Sequence, residues 1–276
     1  FFFKQKTAYE IKECDWSSDV CSSDLASTDR PNRRNWDSLD DAQTTMTDSD
    51  PTRTRSSIKS FVLRTGRMTA AQLRALEDLW PKFGLEPQGE KFDLDAVFGR
   101  KAPRTIEIGF GDGELLVTLA AAHPERDFLG FEVHTPGVGH CLLRAEELEL
   151  TNLRVVRADA VEIMRRCIGT ASLDEVLIYF ADPWPKKRHH KRRIVQTAFA
   201  DLVAEKLKSG GILRLATDWV PYAEWMREVL DPHPEFTNLA GNTGYVPRPA
   251  ERPVTKFERR GERLGHEVRD LAYLRR

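Results

Sequence analysis

After Pro103 the chain alternates short β-rich apolar runs with longer stripes of apolar residues at helical spacing, and this alternation restricts the fold more than any other feature. The runs fall at 105–108, 128–133, 153–156, 176–180 and 212–216. Between them lie Val138, Cys141, Leu142, Ala145 and Leu148 on one helical face, and Ile194, Ala198 and Leu202 on another. Runs such as VLIYF at 176–180 are apolar on both faces, as a strand must be when helices cover both sides of a parallel sheet. The sequence therefore predicts a doubly wound α/β fold built on a parallel sheet. Ligands of such sheets sit beyond the carboxyl ends of the strands, so the residues that follow each run are the ones to inspect.

The boundaries of the folded part are also legible. The first 25 residues, FFFKQKTAYEIKECDWSSDVCSSDL, follow neither period and resemble a translated sequencing adapter, so they are expected to be a scar outside the fold. Residues 26–57 are rich in Ser, Thr, Asp and Arg with little to bury, which predicts a disordered leader. A single domain is expected over 58–276, with an N-terminal helical segment at 58–102 and the α/β core at 103–276. In the former, Thr69 and Gln72 are spaced as a capping box; Leu73, Leu76 and Trp80 share a face, and Pro81 is expected to end the helix. Lys59, Arg64 and Arg67 read as solvated surface charges.

No stretch nears the roughly 20 apolar residues that span a bilayer, so no membrane partner is expected. Cys14, Cys21, Cys141 and Cys167 show neither CxxC pairs nor disulfide density; no metal site is expected, and a reducing cytoplasm fits them. Residues 1–50 hold 6 Lys/Arg against 11 Asp/Glu and the rest 36 against 32, so the part expected to fold is mildly basic.

The first run ends in IEIGFGDGELL, which places Gly109, Gly111 and Gly113 in a tight turn leading into a helix near Glu114. A dinucleotide loop wants GxGxxG open to a pyrophosphate; here the spacing is GxGxG, and Asp112 and Glu114 would repel phosphate. Glu107, in mid-strand just before the turn, needs a partner for a buried carboxylate. Glu132 ends the second run about twenty residues past the glycines, where a carboxylate accepts ribose hydroxyls. Asp159, after the third, suits an adenine amino group or the cap of the next helix. Carboxylates, glycines and a nucleoside without phosphate describe S-adenosylmethionine better than a nicotinamide dinucleotide, because its ammonium and sulfonium are cationic.

The fourth run leads into YFADPWPKKRHHKRRI. Asp182 follows the strand, Pro183 and Pro185 restrict the turn, and Trp184 offers a flat apolar face for a planar group. Lys186 to Arg193 then carry six Lys/Arg and two His in eight residues, just ahead of the Ile194 stripe. Cations at a helix N-terminus oppose its dipole unless both share an anion, and nucleic-acid phosphates would satisfy both. Asp218 ends the fifth run, where it is a candidate ligand or a helix cap. TKFERRGERL at 255–264 alternates as a strand does, which leaves Thr255 to Glu258 as possible sheet surface.

Together IEIGFGDG, GFEVHTPGVG, ADAVEI, DPWPKKRHHKRR, ATDW and TKFERRG resemble the bacterial tRNA (guanine-N7)-methyltransferases, over roughly 58–276. The resemblance implies a class I, Rossmann-like methyltransferase with a mostly parallel sheet, which moves the methyl of S-adenosylmethionine to N7 of guanosine 46 in the tRNA variable loop. It also implies that Glu107, Glu132, Asp159 and Asp182 serve the cofactor, that Asp182 is catalytic, and that Lys186, Asp218, Thr255, Lys256, Phe257 and Glu258 bind substrate. The segment Arg188, His189, His190, Lys191, Arg192 and Arg193 is similar to the family's RNA-contacting stretch.

Overall fold

The computed structural model describes residues 59–62, 66–254, 258–259, 263 and 265–276. The adapter-like string, the 26–57 segment, Cys14, Cys21, Arg64, Thr255, Lys256 and Phe257 lie outside the described residues. Seven strands form one sheet in the order β3-β2-β1-β4-β5-β7-β6. Their ranges are β1 Arg104–Ile108, β2 Asp127–Phe131, β3 Leu153–Val156, β4 Leu173–Tyr179, β5 Leu207–Thr217, β6 Phe236–Asn238 and β7 Arg269–Arg275. Strands β1 to β5 pair in parallel, and β7 runs antiparallel to both β5 and β6. This is the Rossmann-like order with one antiparallel strand near the edge. The five runs read from sequence are β1 to β5, while β6, three residues long, and β7 carry too little pattern to stand out.

The helices are α1 Ala70–Asp78, α2 Trp80–Phe83, α3 Leu94–Phe98, α4 Glu114–Ala122, α5 Thr135–Glu147, α6 Ala160–Cys167, α7 Thr197–Lys206 and α8 Val220–Leu230. Alternate residues of a strand face opposite layers. Ile106, Ile108, Val176 and Ile178 pack with Ile163 and Met164 of α6, Phe199 and Val203 of α7 and Met226 of α8. Phe128, Leu153, Val155 and Leu177 pack on the other side with Leu116 of α4, Val138 and Leu142 of α5, Ala75 of α1 and Phe83 of α2.

Three local expectations need correction. The capping box of Thr69 and Gln72 forms in both directions, but Leu73 points to solvent and the buried residue of α1 is Ala75. Pro81 does not end the helical segment; it occupies the first turn of α2, where its missing N–H costs nothing. The stripe at Ile194 precedes its helix, since α7 begins at Thr197 and buries Phe199, Leu202 and Val203 rather than Ala198.

Candidate active site

Because β3, β2, β1, β4 and β5 are parallel neighbours, their carboxyl ends form one edge. Along it lie, in order, Asp159, Glu132, the Gly109–Gly113 turn, Asp182 and Asp218. At about 4.8 Å per strand this row spans roughly 19 Å.

Its centre is Glu107. Ile106 and Ile108 face the α6–α8 layer, so Glu107 between them points toward α4 and α5, where it is 4% exposed. Its Oε2 has no hydrogen-bond partner among the described residues. Burial, followed by the nearby charges of Glu132 and Asp112, pushes its carboxyl up to about 8. A buried carboxyl with a raised pKa and an unpartnered oxygen, set beside two acidic groups, is a candidate functional group.

The glycine turn wraps over this carboxyl. Gly113 is the N-cap of α4 at φ 79°, and a Cβ there would stand 2.5 Å from Cys141 Cβ, so the left-handed turn and the contact with α5 both require glycine. A Cβ on Gly137 would reach the Gly111 carbonyl oxygen at 2.0 Å, which shows how closely the first turn of α5 lies against the loop. The Gly111 N–H donates to Glu132 Oε2 at 2.8 Å, and Val133 and His134 donate their N–H groups to Oε1 at 2.7 and 2.9 Å. Glu132 thus ties the loop to the end of β2. Three of about four acceptor positions of this carboxylate are occupied by backbone. His140 of α5, not singled out from the sequence, holds the Asp112 carbonyl at 2.7 Å through Nδ1, which therefore carries the proton. Asp159 caps α6 through the Val161 N–H at 3.0 Å and engages one oxygen in doing so.

At the end of β4 the backbone turns sharply. Phe180 and Trp184, on either side of Asp182, adopt φ of 55° and 45°, left-handed conformations that cost a side-chain-bearing residue about 1–3 kcal/mol each and persist only where the surroundings impose them. Asp182 itself is exposed. Asp218 does not cap α8, whose N-cap is Trp219; its Oδ2 lies 3.6 Å from His266 Nδ1.

The basic run differs from expectation. Lys187–Arg192 form a 3-10 helix, and α7 starts only after Gln196, so the charges do not crowd a helix N-terminus. With three residues per turn, positions three apart share a side over 188–193. Arg188 and Lys191 point to solvent, as does Lys187. His189 and Arg192 turn to Trp184, with the Arg192 guanidinium 3.9 Å above the ring centroid and His189 meeting it edge-on at 5.9 Å. The Trp184 face expected to receive a planar group therefore carries Arg192, which also donates to the Lys59 and Phe61 carbonyls at 3.2 and 3.0 Å. His190 and Arg193 turn to Trp225. Arg193, expected to meet RNA, is 3% exposed and donates through Nε to the Pro183 carbonyl at 2.9 Å, which removes it from any phosphate-binding surface.

Glu258 is likewise withdrawn from the expected substrate surface. It is buried and accepts both terminal nitrogens of the equally buried Arg252 at 2.7 and 3.2 Å, while Arg252 also bonds Asp270 of β7. Glu258 and Arg259 are helical rather than part of an alternating strand. No spacing announces this triad, because its members lie 6 and 18 residues apart on separate elements.

Residues 101–271 match the family model described as "Putative methyltransferase". Among curated relatives, the tRNA (guanine-N(7)-)-methyltransferase of Halorhodospira halophila is 59% identical over 226 residues, covering 82% of this chain and 96% of that protein. The enzyme of the same name from Stutzerimonas stutzeri is 60% identical over 221 residues, covering 80% of this chain and 93% of that protein. The chain belongs to the tRNA (guanine-N7)-methyltransferase family. The shared stretch takes in the glycine turn, the acidic strand ends and the basic 3-10 helix, since 226 residues of a 276-residue chain cannot avoid its middle. Among the described residues, no helix is long and apolar enough to cross a membrane.

Proposed function

We propose that the chain transfers the methyl of S-adenosylmethionine to N7 of a guanine in tRNA, at guanosine 46 of the variable loop. The observation that carries this reading is the buried Glu107, whose Oε2 has no hydrogen-bond partner among the described residues, in a row of carboxylates beside a solvent-facing basic segment on the same edge. Acidic strand ends suit a cationic nucleoside and repel a dinucleotide; basic side chains next to them suit a polyanion.

Bound S-adenosylmethionine supplies an electrophilic methyl on a cationic sulfur. Asp159 would meet the adenine, Glu132 the ribose, and Glu107 with the Gly109, Gly111 and Gly113 turn the amino-acid end. Guanine N7 has a lone pair and no proton, so no general base is required. The N7–carbon bond forms as the sulfur–carbon bond breaks, and the positive charge passes from sulfur to the purine. Alignment of the two partners is worth roughly 7–11 kcal/mol, against a few from a carboxylate near the developing charge. The task of the chain is therefore to hold the base. Asp182 or Asp218 accepts the guanine N1–H and N2–H, while Lys186, Arg188 and Lys191 hold the phosphate backbone. The target base takes part in tRNA tertiary contacts, so its exposure costs a few kcal/mol.

Incubation of the protein with unmodified tRNA transcripts and a radiolabelled methyl donor, followed by nucleoside analysis, tests this. Label in 7-methylguanosine that disappears when guanosine 46 is replaced by adenosine is expected. Label in another nucleoside, or label indifferent to that replacement, refutes it.

A further inference from the structure

Arg193 lies in the basic run, yet its side chain points into the protein. Its guanidinium sits 5.1 Å from the Tyr222 ring centroid and 5.2 Å from that of Trp225, both on α8. Tyr222 is fully buried, and Trp225 is fixed by its own indole N–H, which donates to the Val195 carbonyl at 2.7 Å. Gln196 fixes the backbone of the run by donating to the His190 and Arg193 carbonyls at 2.9 and 3.1 Å. From this aromatic seat Arg193 donates from Nε to the carbonyl of Pro183, the residue between Asp182 and Trp184. The turn it grips is bounded by two left-handed, side-chain-bearing residues, Phe180 and Trp184. Such a turn relaxes unless it is held from outside, and Asp182, exposed at its tip, offers no packing of its own to hold it.

We propose that Arg193 is a positioning residue for methyl transfer: anchored between Tyr222 and Trp225, it fixes the Pro183 carbonyl and thereby the direction of the Asp182 carboxylate, and it contributes nothing to tRNA affinity. The proposal rests on the reading of Asp182 as the residue that meets the guanine. It divides the run by role, since Arg188 and Lys191 face solvent whereas Arg193 serves the turn.

The decisive variant is R193K. It keeps a cation in the cage, but an ammonium cannot lie flat between two rings and present Nε to Pro183 as the planar guanidinium does. A small misplacement of a reacting group costs up to about a hundredfold in rate, so R193K is expected to lower kcat about tenfold and R193M about a hundredfold. For both, the Kd for tRNA and its salt slope should equal those of the parent protein, as they would not if Arg193 held a phosphate. W225L, which strips one ring from the cage at a half-buried position, should lower kcat less than R193M with the same unchanged tRNA affinity, and it decides the matter if the Arg193 variants do not fold. Unchanged kcat in the folded variants overturns the proposal, and so does a loss that takes the form of weaker tRNA binding with a flatter salt slope. D182A separates the two readings. If D182A turns over normally, the assignment of Asp182 fails; if D182A is inactive while R193K and W225L match the parent, only the positioning role fails.

Discussion

Replacing Glu107 with Gln removes one ionisable group and leaves a side chain of the same size on β1. In the protein without ligand, burial holds the Glu107 carboxyl at about 8, so at pH 7 it is about nine-tenths protonated. Ionising it there costs about 5 kcal/mol relative to an ordinary carboxyl, given 1.36 kcal/mol per unit between 4.5 and 8. An ammonium roughly 4 Å away at an effective dielectric of about 20 returns about 4 kcal/mol, enough to bring the carboxyl back to near its usual range. Binding of S-adenosylhomocysteine, which carries the same ammonium, should therefore expel about 0.9 proton per site at pH 7. Calorimetry in buffers of different ionisation enthalpy reads this number as the slope of apparent against buffer enthalpy, and E107Q should reduce it to zero. A slope shared by E107Q and the parent protein would refute the reasoning. The sign for stability follows from the same shift. The folded-state value lies above the unfolded one, so the stabilisation is complete below about pH 4.5 and is lost as pH rises through about 8. Denaturant titrations from pH 5 to 9 should show the parent protein losing stability relative to E107Q, by at most about 5 kcal/mol.

The remaining expectations concern the loop and the basic face. G113A forces a Cβ to within 2.5 Å of Cys141 Cβ at a left-handed φ, and it should lower thermal stability by about 1–3 kcal/mol and weaken S-adenosylhomocysteine binding in the same preparation; unchanged melting and affinity would contradict the packing described. R188E with K191E should weaken tRNA binding and reduce the salt slope by about 0.7–0.9 for each phosphate no longer neutralised, measured by filter binding across a salt series, and an unchanged slope would remove these side chains from the RNA surface.

The strand ends were legible because a parallel sheet forces its chemistry to one edge, and period alone located Glu107, Glu132, Asp159, Asp182 and Asp218 at or after the five runs. The direction of each basic side chain was not. Eight Lys, Arg and His residues in a row look uniform in sequence, whereas a three-residue period sorts the last six of them, 188–193, onto Trp184, Trp225 and solvent, and those aromatic partners become neighbours only when β4 and β5 pair. The Arg252–Glu258–Asp270 triad escaped for the same reason, since pairing across elements leaves no local spacing. Pro81 misled because the residue that breaks a helix interior is also favoured in a first turn, and only the partners of the neighbouring backbone groups distinguish the two.

A crystal structure of the protein with S-adenosylhomocysteine tests the central claim most directly. The adenine should lie at Asp159, the ribose at Glu132 and the ammonium beside Glu107, with the sulfur facing Asp182. A ligand bound away from these carboxylates, or one that leaves Glu107 Oε2 still without a partner, would contradict the account.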